Sequence, residues 1–488
     1  MKRSPAEMLQ LLLSRASTRR PFLEQGLPAE AAGHAPEPAH LPGRADVPWL
    51  EAENAHPDDL AAQRWGVIAP EGPEGDAMLD AIAPLIQLRE QEQGAKALRY
   101  RAPPDLDETG AVEWRKEKYR VEQVPEEERP KYLLMLGDLH QLPIALQHVL
   151  AQGSYVGRLH VARPSGEPDL EGYAAYARKV RAFETGTPEA EAPDVLTFVA
   201  ADGSEASGCG RELLVEPFQA LVESRWKAKR PSLRLRFIPN PPPGLAPILQ
   251  AGAEARSGVL LSVSHGLGLP TQEESEEAQR ALQGALDLGN GDVLGHEQLR
   301  DVPFLPGGMW FCLACFGAAT PSQSEFHPWL AQLAEQGVAT GPLDAVLECL
   351  PGPGRRPFVA ALPQAALANP RGPLAILGHS DLAWAFSFAE TDGGSLRSRA
   401  SRIASVLEIL SKGSRAGVAL GRLMKDYQEA NNDLTAYAHA RKVAEQKKKS
   451  DPVDPKKHSY LWMLRNDLRG YILLGDPAAR LSLRRAAA

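Results

Sequence analysis

At 488 residues the chain is long enough for one large core or two to three ordinary ones. Its 54 basic and 62 acidic residues leave a net charge of −8, which excludes a whole-chain basic field of the kind that gathers nucleic acid. Four cysteines, Cys209, Cys312, Cys315 and Cys349, are too few for a disulfide framework and point to a reducing compartment.

The first residues, MKRSPAEMLQLLLSRAS, start basic but hold only about five apolar residues between Met8 and Leu13, against the ~7–15 of a secretory core. No run approaches the ~18 apolar residues of a membrane span. The expected location is cytoplasmic, with no membrane partner. Residues 1–60, rich in Pro and Ala and without a lasting period, predict a flexible arm. From Tyr132 onward, short apolar runs ending in Gly, Asp, Ser or Pro alternate with amphipathic stretches. The runs are YLLMLGD, VLTFVAAD, LRLRFIP, VLLSVSHG, MWFCLACFG and LAILGHSD; helices are predicted in LPIALQHVLAQ, ELLVEPFQALVESRWKAK, GLAPILQAGAEA and HPWLAQLAEQG. Strand–helix–strand alternation with runs apolar on both faces predicts a doubly wound, mostly parallel α/β sheet sandwiched by helices. Residues 401–446 predict one or two long helices, the lysine run 447–458 a solvated loop, and YILLGD one more strand.

In such a sheet, ligands sit at the carboxyl ends of the strands, where Asp202, His265 and Cys315 fall. A thiol near its ordinary pKa of ~8.5 needs a base to become a nucleophile. His265, 50 residues upstream of Cys315 on another strand end, supplies one. The N–H groups of Gly266 and Cys315 form a candidate oxyanion pair, and the small residues after Cys315 keep the approach open. Alone, Cys315 reads as a small buried hydrophobe and His265 as a structural histidine; together, at strand ends before a turn, they read as a catalytic pair. Cys312 and Cys315 are three apart on a strand rather than at a helix N-terminus, which argues against a redox pair. No second ligand pair supports zinc. Dinucleotide, P-loop and serine-hydrolase fingerprints are absent or misspaced.

These stretches resemble the caspase-like cysteine peptidases, and within them the gingipain-type group, over about residues 130–483. YLLMLGDLHQLP, YVGRLHVA and YAAYARKVRAFE resemble the smaller N-terminal α/β subdomain. VLTFVAADG, VLLSVSHG and MWFCLACFG resemble the strands bearing acid, histidine and nucleophile, PLAILGHSDLAW the specificity-pocket strand, and GYILLGDPAARL the closing strand. The resemblance implies an N-terminal subdomain over 61–190 and a catalytic subdomain over 191–488. It implies Cys315 as nucleophile, His265 as proton acceptor and donor, Asp202 as the acid orienting the histidine, and Trp384 as a pocket wall. Apolar Leu313 stands two residues before Cys315 where many relatives that cleave after Arg or Lys carry an aspartate. A basic P1 preference therefore needs another acid, with Asp381 first and Glu205 and Glu212 behind it.

The expected activity is that of an endopeptidase on protein or peptide substrates, needing no metal or organic cofactor, with calcium structural at most. A latent zymogen is expected, with an inhibitor or an upstream protease as partner. Residues 1–60 and the loops GPGRRPF and RSRASR are its candidate blocking or cutting sites, and the resemblance alone implies a bacterial proteolytic cascade in stress or phage defence. The alternatives are a non-catalytic caspase-like binding scaffold and a thiol-based transferase or ligase on the same pair.

Overall fold

The computed structural model of the chain describes residues 8–34, 55–188, 190–238, 244–269, 275–338, 341–350, 356–392 and 395–484. Ten strands form one sheet: β1 Trp65–Pro70, β2 Leu98–Ala102, β3 Tyr132–Leu136, β4 Tyr155–Leu159, β5 Asp194–Val199, β6 Arg234–Phe237, β7 Val259–Val263, β8 Met309–Leu313, β9 Ala375–His379 and β10 Tyr471–Gly475. Their order is β2-β1-β3-β4-β10-β9-β8-β7-β5-β6. All neighbours run parallel except β9 and β10, which are antiparallel. The sheet is thus two parallel halves pointing in opposite directions and joined at that one pairing.

The alternation of side chains along each strand explains the two-sided burial. In β3, Tyr132, Leu134 and Leu136 enter the main core, whereas Leu133 and Met135 enter a smaller one with Ile68, Trp114 and Leu146. Helices cover the sheet on both sides, since parallel strands need crossovers that return over a face. The four helices predicted between the apolar runs form within 144–151, 205–229, 245–254 and 327–335. The long C-terminal helices are Ser401–Ser411 and Ala416–Gln446.

Three features differ from the sequence expectation. Two strands, WGVIAP and LRYRA, precede the first predicted one. The lysine run is a loop only to Asp454, because Asp454 caps a helix over Pro455–Arg469 by accepting from the Lys456 N–H. The expected flexible arm is, in its described part, packed onto the body: Leu9, Leu11, Leu12, Leu13, Phe22, Leu23 and Leu27 are all buried. Residues 1–7 and 35–54 lie outside the described residues, as do 352–355 of the GPGRRPF loop. In the RSRASR segment, Arg397 and Arg399 are exposed. Among the described residues, no helix is long and apolar enough to cross a membrane.

Candidate active site

β9, β8, β7 and β5 are consecutive in the sheet and end on the same edge. In register, Val263 of β7 pairs with Leu313 of β8, so His265 and Cys315 each lie two residues beyond a matched pair. The chain past β7 runs against the chain past β8: a Cβ built on Gly266 would come within 1.9 Å of the Cys315 carbonyl oxygen. Only glycine permits this approach. Immediately after Cys315, Phe316 takes a left-handed conformation with φ 54°, a strained choice for a large residue, and its N–H donates to the Asp381 carbonyl oxygen at 2.9 Å. This turn reverses the chain beside the thiol.

The His265 ring is fully buried. Its Nε2 lies 2.9 Å from Ser204 Oγ and 3.3 Å from Asp202 Oδ2. An Nε2–H shared between carboxylate and hydroxyl fixes the tautomer and leaves Nδ1 as the basic nitrogen. Nδ1 has no hydrogen-bond partner among the described residues. Asp202 is itself held in place: Oδ1 accepts from Ser204 N at 2.9 Å and Oδ2 from Ser207 Oγ at 3.0 Å. Burial lowers the histidine's pKa, and Asp202 and Asp287 oppose that shift. Asp287 sits directly across an antiparallel pair from His265.

Cys315 is equally buried, and burial raises its thiol well above the ordinary value; an N–H donated by Ala383 to Sγ at 3.2 Å works against this. The two expected oxyanion donors converge on one atom. Gly266 N donates at 2.9 Å and Cys315 N at 3.1 Å to the carbonyl oxygen of Leu12.

The expected specificity acids are placed differently. The Asp381 carboxylate is buried and turned to backbone: Oδ1 accepts from Leu382 N at 2.7 Å and Oδ2 from Glu325 N at 2.9 Å. Through these two bonds it braces the loop after β9. Glu205 opens the helix that Ser204 caps, and Glu212 lies exposed further along it. The Trp384 ring is fully buried in an aromatic cluster, with centroids 5.3 Å from Trp329 and 5.9 Å from Phe326, and its backbone bridges to Leu11. Sequence reasoning missed Ser204, Asp287 and Leu12. Ser204 carried a signal, as a serine N-cap two residues past the acid; the other two arrive from distant segments.

Among the described residues no group of three or more His, Cys, Asp or Glu side chains could hold a metal ion. No protein-family model matches the chain, and no curated protein matches it. Among solved structures it is similar to one described as "Structure of Protease", at 14% identity and a TM-score of 0.42, covering 86% of this chain and 78% of that one. It is more distantly similar to a periplasmic sugar-binding protein from Pseudomonas fluorescens, at 12% identity and a TM-score of 0.15, over 58% of this chain and 77% of that one. Likeness at these levels carries no argument about function.

Proposed function

We propose that the chain is a cysteine endopeptidase of the caspase and gingipain type, held latent, that hydrolyses peptide bonds through Cys315 and His265. The observation that carries this reading is the pair of N–H groups, from Gly266 and Cys315 itself, converging on a single peptide carbonyl oxygen, that of Leu12. Preorganised donors at that position stabilise the charge that develops on a carbonyl under attack. His265 Nδ1 takes the thiol proton, the thiolate adds to the carbonyl carbon, and the tetrahedral oxyanion is held by the two N–H groups. The proton passes to the departing amine, leaving a thioester, which a water activated by the same nitrogen then hydrolyses. Asp202, with Ser204, orients the ring and offsets the charge it acquires. The resemblance of the SHG and AC stretches supports the same roles.

One observation favours a second reading. The cleft is filled and the thiol buried, as in a non-catalytic scaffold that binds through the same groove. Hydrolysis of a fluorogenic peptide panel separates the two. Cys315→Ala and His265→Ala are expected to lower turnover by about 10³-fold or more. Turnover that survives both substitutions, or that is absent from wild type before and after limited proteolysis, contradicts the peptidase.

A further inference from the structure

The carbonyl in the oxyanion position belongs to the chain itself, and what surrounds it defines a bound peptide. Leu12 N–H donates to the Ala383 carbonyl oxygen at 3.3 Å, while Ala383 N–H donates to the Cys315 sulfur. Leu11 forms an antiparallel bridge with Trp384. From Leu13 the segment changes partner and runs parallel to residues 266–268, in the register Gly266 with Leu13, Leu267 with Ser14 and Gly268 with Arg15. Ser14 Oγ donates to Asp287 Oδ2 at 2.8 Å, and Phe22 N to Leu13 O at 3.1 Å. The backbone is therefore gripped on both sides of one bond, Leu12–Leu13, and the carbonyl of that bond holds both oxyanion donors.

We infer that Leu11 and Leu12 occupy the acyl-side subsites of the cleft as a substrate mimic in cis, while Met8 and Leu9 pair with Pro28 and Leu27 of the same chain, and that the site takes peptides with leucine, or an aliphatic residue of like size, before the scissile bond. This rests on the peptidase reading and replaces the expected basic preference. The Leu12 side chain is buried as part of the apolar core. A guanidinium in its place would need a carboxylate. Asp381 has both oxygens committed to backbone, and Leu313 is apolar. The segment explains latency without a separate inhibitor, because it covers the thiol and excludes other peptides.

The same register allows self-cleavage. The Cys315 sulfur bonds to the Leu12 carbonyl carbon, the Leu12–Leu13 C–N bond breaks, and the thiol proton passes through His265 to the Leu13 amine. Water then frees the Leu12 carboxylate and restores the thiol. While the thioester stands, the new amine remains strapped to residues 266–268 and can re-form the bond, so the cut becomes final only when water frees the Leu12 carboxylate.

The test uses full-length chain, wild type and Leu12→Asp, with coumarin-releasing pentapeptides of sequence Met-Leu-Gln-Leu-Leu, or the same ending in Arg or Asp. A carboxylate at Leu12 is expected to expel the segment and raise hydrolysis of the leucine peptide by about tenfold or more over wild type. The leucine peptide is expected to lead the others by a similar factor. Fastest hydrolysis after Arg or Asp overturns the leucine assignment and leaves the peptidase reading standing. Equal rates for wild type and Leu12→Asp overturn the occupancy in cis. No hydrolysis by either protein, with Cys315 inert to peptidyl electrophiles, overturns the peptidase reading itself. Should Leu12→Asp fail to fold, as judged by circular dichroism, Leu12→Gln carries the same comparison with a neutral side chain of similar volume.

Discussion

At Asp381, burial pushes the carboxyl up to about 7, while hydrogen bonds from Ser324 and from the Leu382 and Glu325 N–H groups pull the other way. A group whose folded pKa is raised binds more protons folded than unfolded. Its stability contribution is complete below the ordinary carboxylate pKa of ~4 and is lost as pH rises to about 7. Wild type is therefore expected to lose stability relative to Asp381→Asn by ~1 kcal/mol per pH unit over that window. Denaturant melts of both proteins at pH 4.5, 6 and 7.5 check this. The asparagine places a donor opposite a backbone N–H and so costs a constant amount, which leaves the slope unaffected. A flat difference across the window would show that the carboxylate is already ionised in the folded chain.

Among the elements, the close passage of the segment after β7 against the segment after β8 sets the site. Gly266→Ala puts a methyl group into the Cys315 backbone and is expected to cost ~2–4 kcal/mol and to abolish turnover. Chemical denaturation alongside peptide hydrolysis measures both; a stable, active variant would show that the two segments move apart freely. Much of this region was legible in the sequence. VLLSVSHG and MWFCLACFG are apolar on both faces and stop at small residues, which a covered parallel strand requires. Asp202, His265 and Cys315 fall at the ends of their apolar runs, which puts them at one sheet edge, while the role of Asp202 came only from the resemblance. The early strands were less visible: LRYRA, at the sheet edge, carries arginines on a partly exposed strand. The helix over Pro455–Arg469 hid its period because Arg465, Asn466, Asp467 and Arg469 are all buried. Asp467 is committed to the Trp384 and Ser387 N–H groups. The seating of Leu12 left no local signal. A leucine run shows that a segment is buried, but the place it fills is decided by groups some 250 and 300 residues away.

Across the whole molecule, β10 is tied into the half of the sheet that it completes by a buried cluster just past the β9–β10 pairing. Arg89 is fully buried and donates through Nε to Asp476 at 2.7 Å, and through its terminal nitrogens to Glu184 at 2.7 and 2.9 Å; Asp476, just past β10, also accepts from Trp65 Nε1 at 2.9 Å. These acceptors give the guanidinium partners that offset its desolvation, and its pKa is raised although burial works against it. Arg89→Leu leaves two buried carboxylates unpaired and is expected to cost ~3–5 kcal/mol in a denaturant melt. A loss below ~1 kcal/mol would mean that water reaches and solvates them.

Covalent capture of the thiol tests the pairing of Cys315 with His265 most directly. Full-length Leu12→Asp is incubated with an acyloxymethyl ketone carrying the peptide Gln-Leu-Leu, then digested and mapped by mass spectrometry. The predicted result is one adduct, on Cys315, lost in His265→Ala. Labelling of Cys209, Cys312 or Cys349 instead, or labelling of Cys315 that is indifferent to His265, would contradict it.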